Sequence, residues 1–377
     1  MNKKIAIVYD WIDKWGGVER VLLTLKDLYP EAVFYTSFYD AKKAPWATSL
    51  SIKTSFMQRL PRFIKSSRVL SALFFPFAFE SFDLSDYDCV VSVCSAYSKG
   101  VITRPETHHV CYLLTPTRFL WFQRSLYQIR GVFAGLAAIF VRKQQEWDSI
   151  AAQRPDAYIS ISQCVAERCK TIYHRESEVV YPPFPLEYWE STLKNTSSYT
   201  SKVMMALRGE PFYLIVSRLE KYKRIDLVIE AFKHTNKRLV MVGTGTQKNS
   251  LNKKMSSNIM WIEHLEDREL VQLYSHAEAL IMPQEEDFGY VALEAQLFGC
   301  PVIAYGKGGA LETVKKDKTG LFFDEQSSTG ISSAVARFEK VSYNLKRILK
   351  NTGRDWVQQF STPYFVKKFT QALEKDY

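Results

Sequence analysis

The fold is decided by residues 281–314, which read IMPQEEDFGYVALEAQLFGCPVIAYGKGGALETV. A short apolar strand pattern ends at Pro283, a helical pattern follows Gly289, and a second apolar strand pattern follows Pro301. A strand, a helix and a strand in this order predict two parallel strands that are joined by a crossover helix. The stretch therefore indicates an α/β architecture of parallel sheets covered by helices.

The same alternation extends outward over both halves of the chain. The predicted strands are KIAIVYD, AVFYTSF, CVVSVC, HHVCYLL, AYISIS and EVVYP in the first half, and FYLIVSR, RLVMVG, IMWIEH, ALIMP, PVIAYG and GLFF in the second. A chain of 377 residues is longer than one hydrophobic core usually sustains. We therefore predict two doubly wound domains that face a central cleft, 1–183 and 184–359, with LKNTSSYTSK (193–202) as the best linker candidate and a helix at about 360–377 that packs back on the first domain.

The composition is that of an ordinary folded protein, with 46% hydrophobic and 24% charged residues. Six cysteines occur without a Cys-x-x-Cys pair or a histidine array suited to zinc, so we expect reduced thiols and no metal site. The start, MNKKIAIVYDWIDKWGG, predicts a first strand because its apolar stretch is too short for a signal peptide. No segment approaches the roughly 20 apolar residues that span a bilayer. We expect a cytoplasmic protein.

The net charge of +10 is concentrated in two windows without Asp or Glu. Residues 41–79 carry Lys42, Lys43, Lys53, Arg59, Arg62, Lys65 and Arg68, and residues 107–145 mix Arg118, Arg124, Arg130, Arg142 and Lys143 with Phe119, Trp121, Phe122, Phe133 and Phe140. Bases interleaved with aromatic residues suit an anionic membrane surface, single-stranded nucleic acid, or amphipathic helices whose aromatic side chains are core. We favour peripheral membrane association over nucleic acid, since no nucleic-acid recognition motif accompanies the charge.

Two strand-to-helix turns carry groups that suit a phosphate. Gly16 and Gly17 follow the first strand and precede a helix, where glycines either admit a ligand to the backbone or simply make a tight turn. Arg218 ends the strand pattern FYLIVSR and Lys223 follows it, and two cations five positions apart either converge on a diphosphate or form a solvated basic loop. Gly243 also lies at a strand end, the edge where open α/β sheets bind ligands.

The third motif pairs two carboxylates around a helix start. Glu286 precedes the turn at Phe288 and Gly289, and Glu294 lies over a turn further along the helix that starts near Gly289. One carboxylate can accept hydrogen bonds from sugar hydroxyls and the other from ribose hydroxyls. A glycoside hydrolase also uses two carboxylates, but its pair must flank the scissile bond from opposite sides.

Three phrases together resemble the family 4 retaining glycosyltransferases of the GT-B fold, in particular bacterial polysaccharide mannosyltransferases. They are GGVERVL (16–22), SRLEKYKRIDLVIEAF (217–232) and EEDFGYVALEAQLFGCPVIAYGKGGALETV (285–314). The resemblance implies two Rossmann-like domains, of which the first binds the acceptor and the second the nucleotide sugar. It also implies the site residues: Arg218, Lys223 and Glu286 as catalytic residues on the diphosphate and the hexose; Gly16, Gly17, Gly243, Asp287, Phe288, Gly289, Tyr290 and Glu294 in the donor site; and Thr115 and Arg118 on the acceptor side.

The resemblance implies metal-independent transfer of a hexose, with mannose from GDP-mannose preferred, to a glycan or lipid-linked acceptor in bacterial surface polysaccharide or lipopolysaccharide synthesis. One position departs from the family, because Leu114 stands where relatives generally have a histidine near the reacting sugar. A UDP-sugar-dependent transferase and a degenerate donor-binding protein without turnover stay open. A sugar-nucleotide epimerase or a phosphorylase-like enzyme on the same architecture is a further alternative.

Overall fold

The computed structural model of the protein describes residues 3–122, 134–196 and 201–375. Arg124, Arg130 and Phe133 of the second basic window, and residues 197–200 of the predicted linker, lie outside these ranges. The chain divides into two compact units, the first formed by 1–183 and 365–377 and the second by 184–364. Each unit contains one parallel sheet.

The first unit contains a seven-stranded sheet in the order β3-β2-β1-β4-β5-β6-β7. Its strands are β1 Ile5–Tyr9, β2 Val33–Thr36, β3 Ser51–Thr54, β4 Cys89–Cys94, β5 His108–Leu113, β6 Ala157–Ser160 and β7 Glu178–Val179. The helices of this half are α1 Val18–Leu28, α2 Arg62–Ser66, α3 Arg68–Ser71, α4 Phe75–Glu80, α5 Arg118–Trp121, α6 Ala134–Ala151 and α7 Gln163–Tyr173. All strand pairs in the sheet are parallel.

The second unit contains a six-stranded parallel sheet in the order β10-β9-β8-β11-β12-β13. Its strands are β8 Phe212–Val216, β9 Arg238–Val242, β10 Ile259–Ile262, β11 Leu280–Met282, β12 Val302–Tyr305 and β13 Gly320–Phe323. The helices are α8 Leu186–Lys194, α9 Lys202–Leu207, α10 Ile225–Phe232, α11 Lys248–Asn252, α12 Asp267–His276, α13 Tyr290–Leu297, α14 Ala310–Thr313 and α15 Ser328–Gln358. The chain ends in α16 Thr362–Lys375, most of which belongs to the first unit. The predicted α/β class with two doubly wound domains is confirmed.

Strand β3 is absent from the sequence prediction. It pairs with β2 at the edge of the first sheet, and its residues alternate between exposed and half-buried. An edge strand with one exposed face needs no continuous apolar run, so the hydrophobic pattern does not reveal it.

The last helix returns to the first sheet. Phe365 and Phe369 of α16 lie edge-on to Tyr112 of β5, with ring centroids 5.8 and 5.7 Å away. Lys375 Nζ donates to Glu178 Oε2 at 3.0 Å. These buried aromatic contacts explain why 365–377 belongs to the first unit.

The aromatic residues of the first basic window divide between core and surface. Phe75 and Phe79 are buried and stack on each other, and Phe75 also stacks on Tyr97. Phe63 and Phe77, in contrast, are each 65% exposed. The amphipathic-core interpretation therefore accounts for only part of this window.

Candidate functional site

The order of the second sheet locates the candidate site. The chain runs outward from β8 to β10 on one side and then from β11 to β13 on the other, so the connections reverse direction between β8 and β11. In open α/β sheets, ligands bind beyond the carboxyl ends of the strands at such a switch point. Arg218 and Lys223 follow β8, and Glu286 follows β11.

Lys223 and Glu286 meet across this switch point. Lys223 Nζ forms an ion pair with Glu286 Oε1, and the two side chains are 11% and 16% exposed. Gln284 Nε2 donates to the same oxygen at 2.6 Å. A cation and a carboxylate held together at the rim suit a ligand that carries both an anionic group and hydroxyls, since each can exchange its partner for a ligand atom.

Arg218 lies on the same loop but has a different partner. Its guanidinium is exposed and donates to Tyr222 Oη at 3.0 Å. Lys223 ends a short 3-10 turn, Lys221–Lys223, after which Arg224 adopts a left-handed conformation at φ 51° and starts α10. The turn thus places one cation against Glu286 and leaves the other at the surface.

Helix α13 begins where its motif predicts. Gly289 precedes it with a φ of 106°, a conformation that side-chain-bearing residues rarely adopt. A Cβ at Gly289 would lie 3.3 Å from Met282 Cε, so the position is also tight. The turn directs the N–H groups of the first turn of α13 out of the carboxyl edge, where the helix dipole favours an anion.

Phe288 and Tyr290 flank this glycine. Their rings lie edge to face with centroids 5.3 Å apart, and Thr313 Oγ1 donates to the Phe288 carbonyl at 3.3 Å. Phe288 is buried, whereas Asp287 and Tyr290 are half-buried. The backbone of 287–290 is therefore held by packing on both sides of the turn.

Glu294 lies deeper than its predicted partner. Glu294 is only 4% exposed, and its Oε2 accepts from Tyr274 Oη at 3.0 Å. Tyr274 stacks on Phe298 with ring centroids 6.1 Å apart. Helix α12, which carries Tyr274, thereby orients the Glu294 carboxylate.

Only a glycine fits at position 243, at the end of β9. Its φ is 133°, and a Cβ there would lie 2.0 Å from the Ser217 carbonyl oxygen. Trp261 Nε1 donates to the Gly243 carbonyl at 2.9 Å. The glycine lets the end of β9 approach the loop that carries Arg218.

Four residues of this site are absent from the sequence prediction. Gln284 orients Glu286, Gly308 pairs with Glu286 in a β-bridge, Gly309 N donates to the Glu286 carbonyl at 2.7 Å, and Tyr274 binds Glu294. The glycine pair after a predicted strand, and the polar residue between Pro283 and Glu285, are sequence signals for the first three. Tyr274 carries no such signal, because only packing brings α12 to α13.

The predicted residues of the first unit lie at its own carboxyl edge. Gly16 and Gly17 precede α1, and Gly17 has an ordinary φ of −80°, so this turn does not require a glycine conformation. Thr115 is buried between β5 and α5, and the half-buried Arg118 is the first residue of α5. Leu114 N donates to the Cys94 carbonyl at 2.8 Å. The hydrogen bonding between β4 and β5 therefore extends to Leu114, the residue that departs from the family pattern.

Two closely spaced aspartates of the first unit, Asp86 and Asp88, are also candidate metal ligands. They directly precede β4, and Asp88 Oδ2 accepts from Lys4 N at 2.8 Å at the amino edge of the sheet. This edge is opposite to the carboxyl edge where such sheets bind ligands. Among the residues that the structure describes, no group of three His, Cys, Asp or Glu side chains could hold a metal ion.

Comparison with known proteins finds similarity over part of the chain. Residues 205–356 match the family model described as glycosyl transferases group 1. The chain is 27% identical over 237 residues to human alpha-1,3/1,6-mannosyltransferase ALG2, covering 55% of this chain and 53% of that protein. It is 30% identical over 169 residues to a GDP-mannose-dependent alpha-(1-6)-phosphatidylinositol monomannoside mannosyltransferase of Mycobacterium tuberculosis, covering 40% of this chain and 44% of the relative. The matches thus span about half the length of these relatives or less.

Solved structures match over nearly the whole chain. Anabaena Alr3699/HepE in complex with UDP-glucose has a TM-score of 0.71 at 18% identity, with 98% of this chain and 99% of that chain covered. WaaG, described as a glycosyltransferase involved in lipopolysaccharide biosynthesis, has a TM-score of 0.66 at 15% identity, covering 98% and 99%. At these identities the likeness establishes the GT-B fold. No helix in the described ranges has the length and hydropathy of a membrane-spanning segment.

Proposed function

We propose that the chain is a retaining, metal-independent hexosyltransferase, because residues 205–356 match the family model described as glycosyl transferases group 1. The donor is a nucleoside diphosphate hexose that binds to the second unit. The observation that carries the proposal is the Lys223–Glu286 contact, because it joins a cation and a carboxylate at the switch point of a parallel sheet.

Each group of the site has a part in donor binding. Arg218 and Lys223 neutralise the diphosphate, Glu286 accepts from hexose hydroxyls, and the amino end of α13 faces the phosphates. Glu294 accepts from the ribose hydroxyls. The backbone around Gly289 and Gly243 approaches the ligand closely because neither position carries a Cβ. Asp287, Phe288 and Tyr290 line the same turn as Gly289.

The reaction exchanges one bond at the anomeric carbon for another. The bond to the diphosphate oxygen breaks, the acceptor oxygen bonds to the same face, and the acceptor proton passes to the departing phosphate oxygen. The protein stabilises the charge that grows on the diphosphate through Arg218, Lys223 and the amino end of α13. Because the leaving group takes the proton, this path needs no histidine at position 114.

The same charges support the proposed metal independence. Two cations and a helix terminus supply the neutralisation that a divalent ion otherwise provides. The one Asp-x-Asp in the described chain lies at the opposite edge of the first sheet and binds the backbone of Lys4. We therefore expect transfer to persist in a chelator.

GDP-mannose is the proposed donor. The relative with the higher identity of the two above is named as GDP-mannose-dependent, and ALG2 is a mannosyltransferase. The structural neighbours that bind UDP or UDP-glucose are 16–18% identical to this chain and therefore support only the fold assignment. UDP-sugars are the alternative.

The proposed acceptor is a glycan or a lipid-linked glycan of bacterial surface polysaccharide synthesis, reached at the cytoplasmic face of the membrane. Support comes from the first basic window, where Phe63 and Phe77 are 65% exposed and Leu73 is 50% exposed. Arg59 and Arg62 in the same window are exposed. Exposed apolar side chains beside cations favour an anionic bilayer surface, where each cation contributes about 1 kcal/mol.

Vesicle co-sedimentation tests this membrane association. Phosphatidylglycerol vesicles should bind the protein more strongly than phosphatidylcholine vesicles, and a Phe63→Ser, Phe77→Ser variant should lose about tenfold in affinity. Tyr343→Ser in the second unit, where the side chain is 77% exposed, is the matched control. Equal loss in both variants, or no preference for anionic lipid, would reject the association.

The function itself is tested with a panel of GDP-, UDP- and dTDP-sugars in the presence of EDTA. Binding of GDP-mannose followed by slow release of GDP is expected, with retention of configuration at the sugar. Binding without any release, also with lipid-linked acceptors present, would favour the degenerate donor-binding protein. A complete failure to bind nucleotide sugars would reject the proposal.

Arg218→Ala tests the assignment at the level of one side chain. It should lower turnover by about 100-fold or more, since it removes one charge that the leaving diphosphate requires. Arg224→Ala is the control, because Arg224 lies on the same loop and pairs with Asp226 at 3.4 Å. Equal turnover in the two variants would remove Arg218 from the catalytic residues.

A further inference from the structure

A buried ionic cluster lies in the first unit, outside the donor site. Its centre is Asp148 on α6, and Asp148 and its partner Lys99 are both completely buried. We call it the Asp148 hub; its members are Lys99, Thr117, Trp121, Asp148 and Tyr173.

Asp148 accepts four hydrogen bonds. Its Oδ1 accepts from Lys99 Nζ at 2.5 Å and from Thr117 Oγ1 at 2.8 Å. Its Oδ2 accepts from Trp121 Nε1 at 2.8 Å and from Tyr173 Oη at 2.9 Å. A carboxylate offers about four acceptor positions, so this one is saturated.

The donors come from three separate segments. Lys99 follows β4, Thr117 and Trp121 belong to the segment after β5, and Tyr173 ends α7. Lys99 Nζ also donates to the Ala96 carbonyl at 2.6 Å. The same carbonyl lies 3.0 Å from Thr117 Oγ1, whose single proton is shared between it and Asp148. Asp148 therefore ties the segment after β5 to the turn after β4 and to two helices.

Energetic considerations indicate that the Asp148 hub serves to hold the chain in one conformation. Removing two charges from water costs several kcal/mol per ion, and apolar residues of similar volume often stabilise a core equally well. Burial disfavours the charged form of Lys99, but the Asp148 charge outweighs it and the pKa of Lys99 is raised. Lys99 therefore keeps its charge, and the four directional bonds to Asp148 hold one arrangement.

The segment that the hub holds contains the predicted acceptor-side residues. Thr115 and Arg118 lie within 115–121, beside Thr117 and Trp121, which are bonded to Asp148. In the described residues Thr115 Oγ1 is buried and has no hydrogen-bond partner. We infer that Asp148 is a positioning residue, which fixes segment 115–121 so that Thr115 and Arg118 meet the acceptor; this rests on the proposed function.

Two adjacent tyrosines give a matched experiment. Tyr173→Phe removes a hydrogen bond to Asp148 and the acceptor of Thr117 N at 3.3 Å, whereas Tyr158→Phe removes one hydrogen bond, to the Ala152 carbonyl at 2.9 Å. Both rings are buried and their centroids lie 6.4 Å apart, so the two changes are alike in chemistry and depth. Thr117→Val, which removes the Thr117 hydroxyl from Asp148 at nearly constant volume, is the third variant.

Amide hydrogen exchange of the full-length protein is the first measurement. In Tyr173→Phe and Thr117→Val, the amides of Leu120 and Trp121 should exchange about tenfold faster, whereas Tyr158→Phe should leave them unchanged. Transfer to octyl α-mannoside, used as the acceptor probe, should show a KM for the acceptor raised about fivefold and a KM for the donor within about twofold.

The outcomes separate this inference from the proposed function. Equal exchange in the two Tyr→Phe variants, or unchanged exchange in Thr117→Val, would overturn the positioning role. A donor KM that rises as much as the acceptor KM would also overturn it, because a general loss of structure moves both. If the unmodified protein binds no nucleotide sugar, the proposed function fails, and the exchange comparison still decides whether the hub positions the segment.

Discussion

The two sheets reverse direction at equivalent places, and the two switch points are used differently. In the first sheet the switch point lies between β1 and β4, where Asp10 is completely buried. Its carboxylate accepts from Ser95 N and Oγ at 2.7 and 2.8 Å, from Tyr97 N at 2.7 Å and from Ser98 N at 2.8 Å. In the second sheet, Glu286 is partly exposed and pairs with a lysine. The Asp10 carboxylate binds neighbouring groups of its own chain, whereas the Glu286 carboxylate remains able to bind a ligand.

This difference teaches that topology alone does not assign a site. Both switch points present a carboxylate, but the first saturates it with neighbouring donors, so no lone pair faces outward. The second adds a cation and an amide and leaves the side chains at the rim. Substitutions should therefore affect stability at the first switch point and turnover at the second.

The largest expected effect is at the second switch point. Lys223→Met should lower the turnover of the nucleotide sugar by about 100- to 1,000-fold, since it removes a charge that faces the leaving diphosphate. Steady-state release of the nucleoside diphosphate measures this loss. Lys221→Met, on the same turn with an exposed side chain, should stay near the unmodified rate. A variant of Lys223 with normal turnover would make the two switch points functionally alike.

Next in size is a loss of stability at the first switch point. Asp10→Ala should lower the free energy of unfolding by about 3 kcal/mol, because buried backbone donors lose their acceptor. Urea unfolding provides the measurement. Asp83→Ala is the control, since Asp83 is exposed and also accepts from a backbone N–H, Ser85 N at 3.0 Å. If both substitutions cost the same, burial of Asp10 contributes nothing and the comparison breaks.

Acidification should weaken the first unit by a smaller amount. Burial lowers the pKa of His109 to about 3, and its Nε2 lies 2.9 Å from Ser92 Oγ. Below about pH 6.5 the unfolded chain protonates this imidazole and the folded chain does not, so the free energy of unfolding falls as the pH drops toward 3. Between pH 6.5 and 5 this amounts to about 2 kcal/mol.

Thermal unfolding at pH 7.5 and pH 5 checks the acid effect. His109→Gln should show a smaller decrease in melting temperature between the two values than the unmodified protein. His234→Gln in the second unit, where the imidazole is exposed, should keep the full decrease. A decrease that is unaltered by His109→Gln would show that other groups cause the acid sensitivity.

The smallest expected effect concerns the second carboxylate. Tyr274→Phe removes the hydrogen bond to Glu294 and should raise the KM for the donor by about fivefold, with a stability loss of about 1 kcal/mol. Tyr213→Phe is the matched control, because its Oη also donates to a glutamate, Glu339, at 3.2 Å. Initial rates over a range of donor concentrations distinguish the two. An equal rise in both variants would show that Glu294 needs no orientation by α12.

Much of the fold and part of the site could be predicted from local sequence. Apolar β-branched runs identify twelve strands, and the helix start at Gly289 follows from the glycine and the periodicity after it. The edge strand β3 escapes prediction because half of its surface is exposed. The sequence also does not show which aromatic residues of the first basic window are buried and which are exposed. Phe75 and Phe77 differ only in which face of α4 packs on the core.

The sequence by itself determined the α/β class, the two doubly wound units and the loops that carry the charged groups, because periodicity and turn chemistry are local properties. The tertiary structure decided which charges meet. Lys223 and Glu286 are 63 positions apart, and Lys99 and Asp148 are 49 apart. Only the strand order and the packing of helices on the sheet bring them together, and only burial decides whether a carboxylate faces its own chain or a ligand.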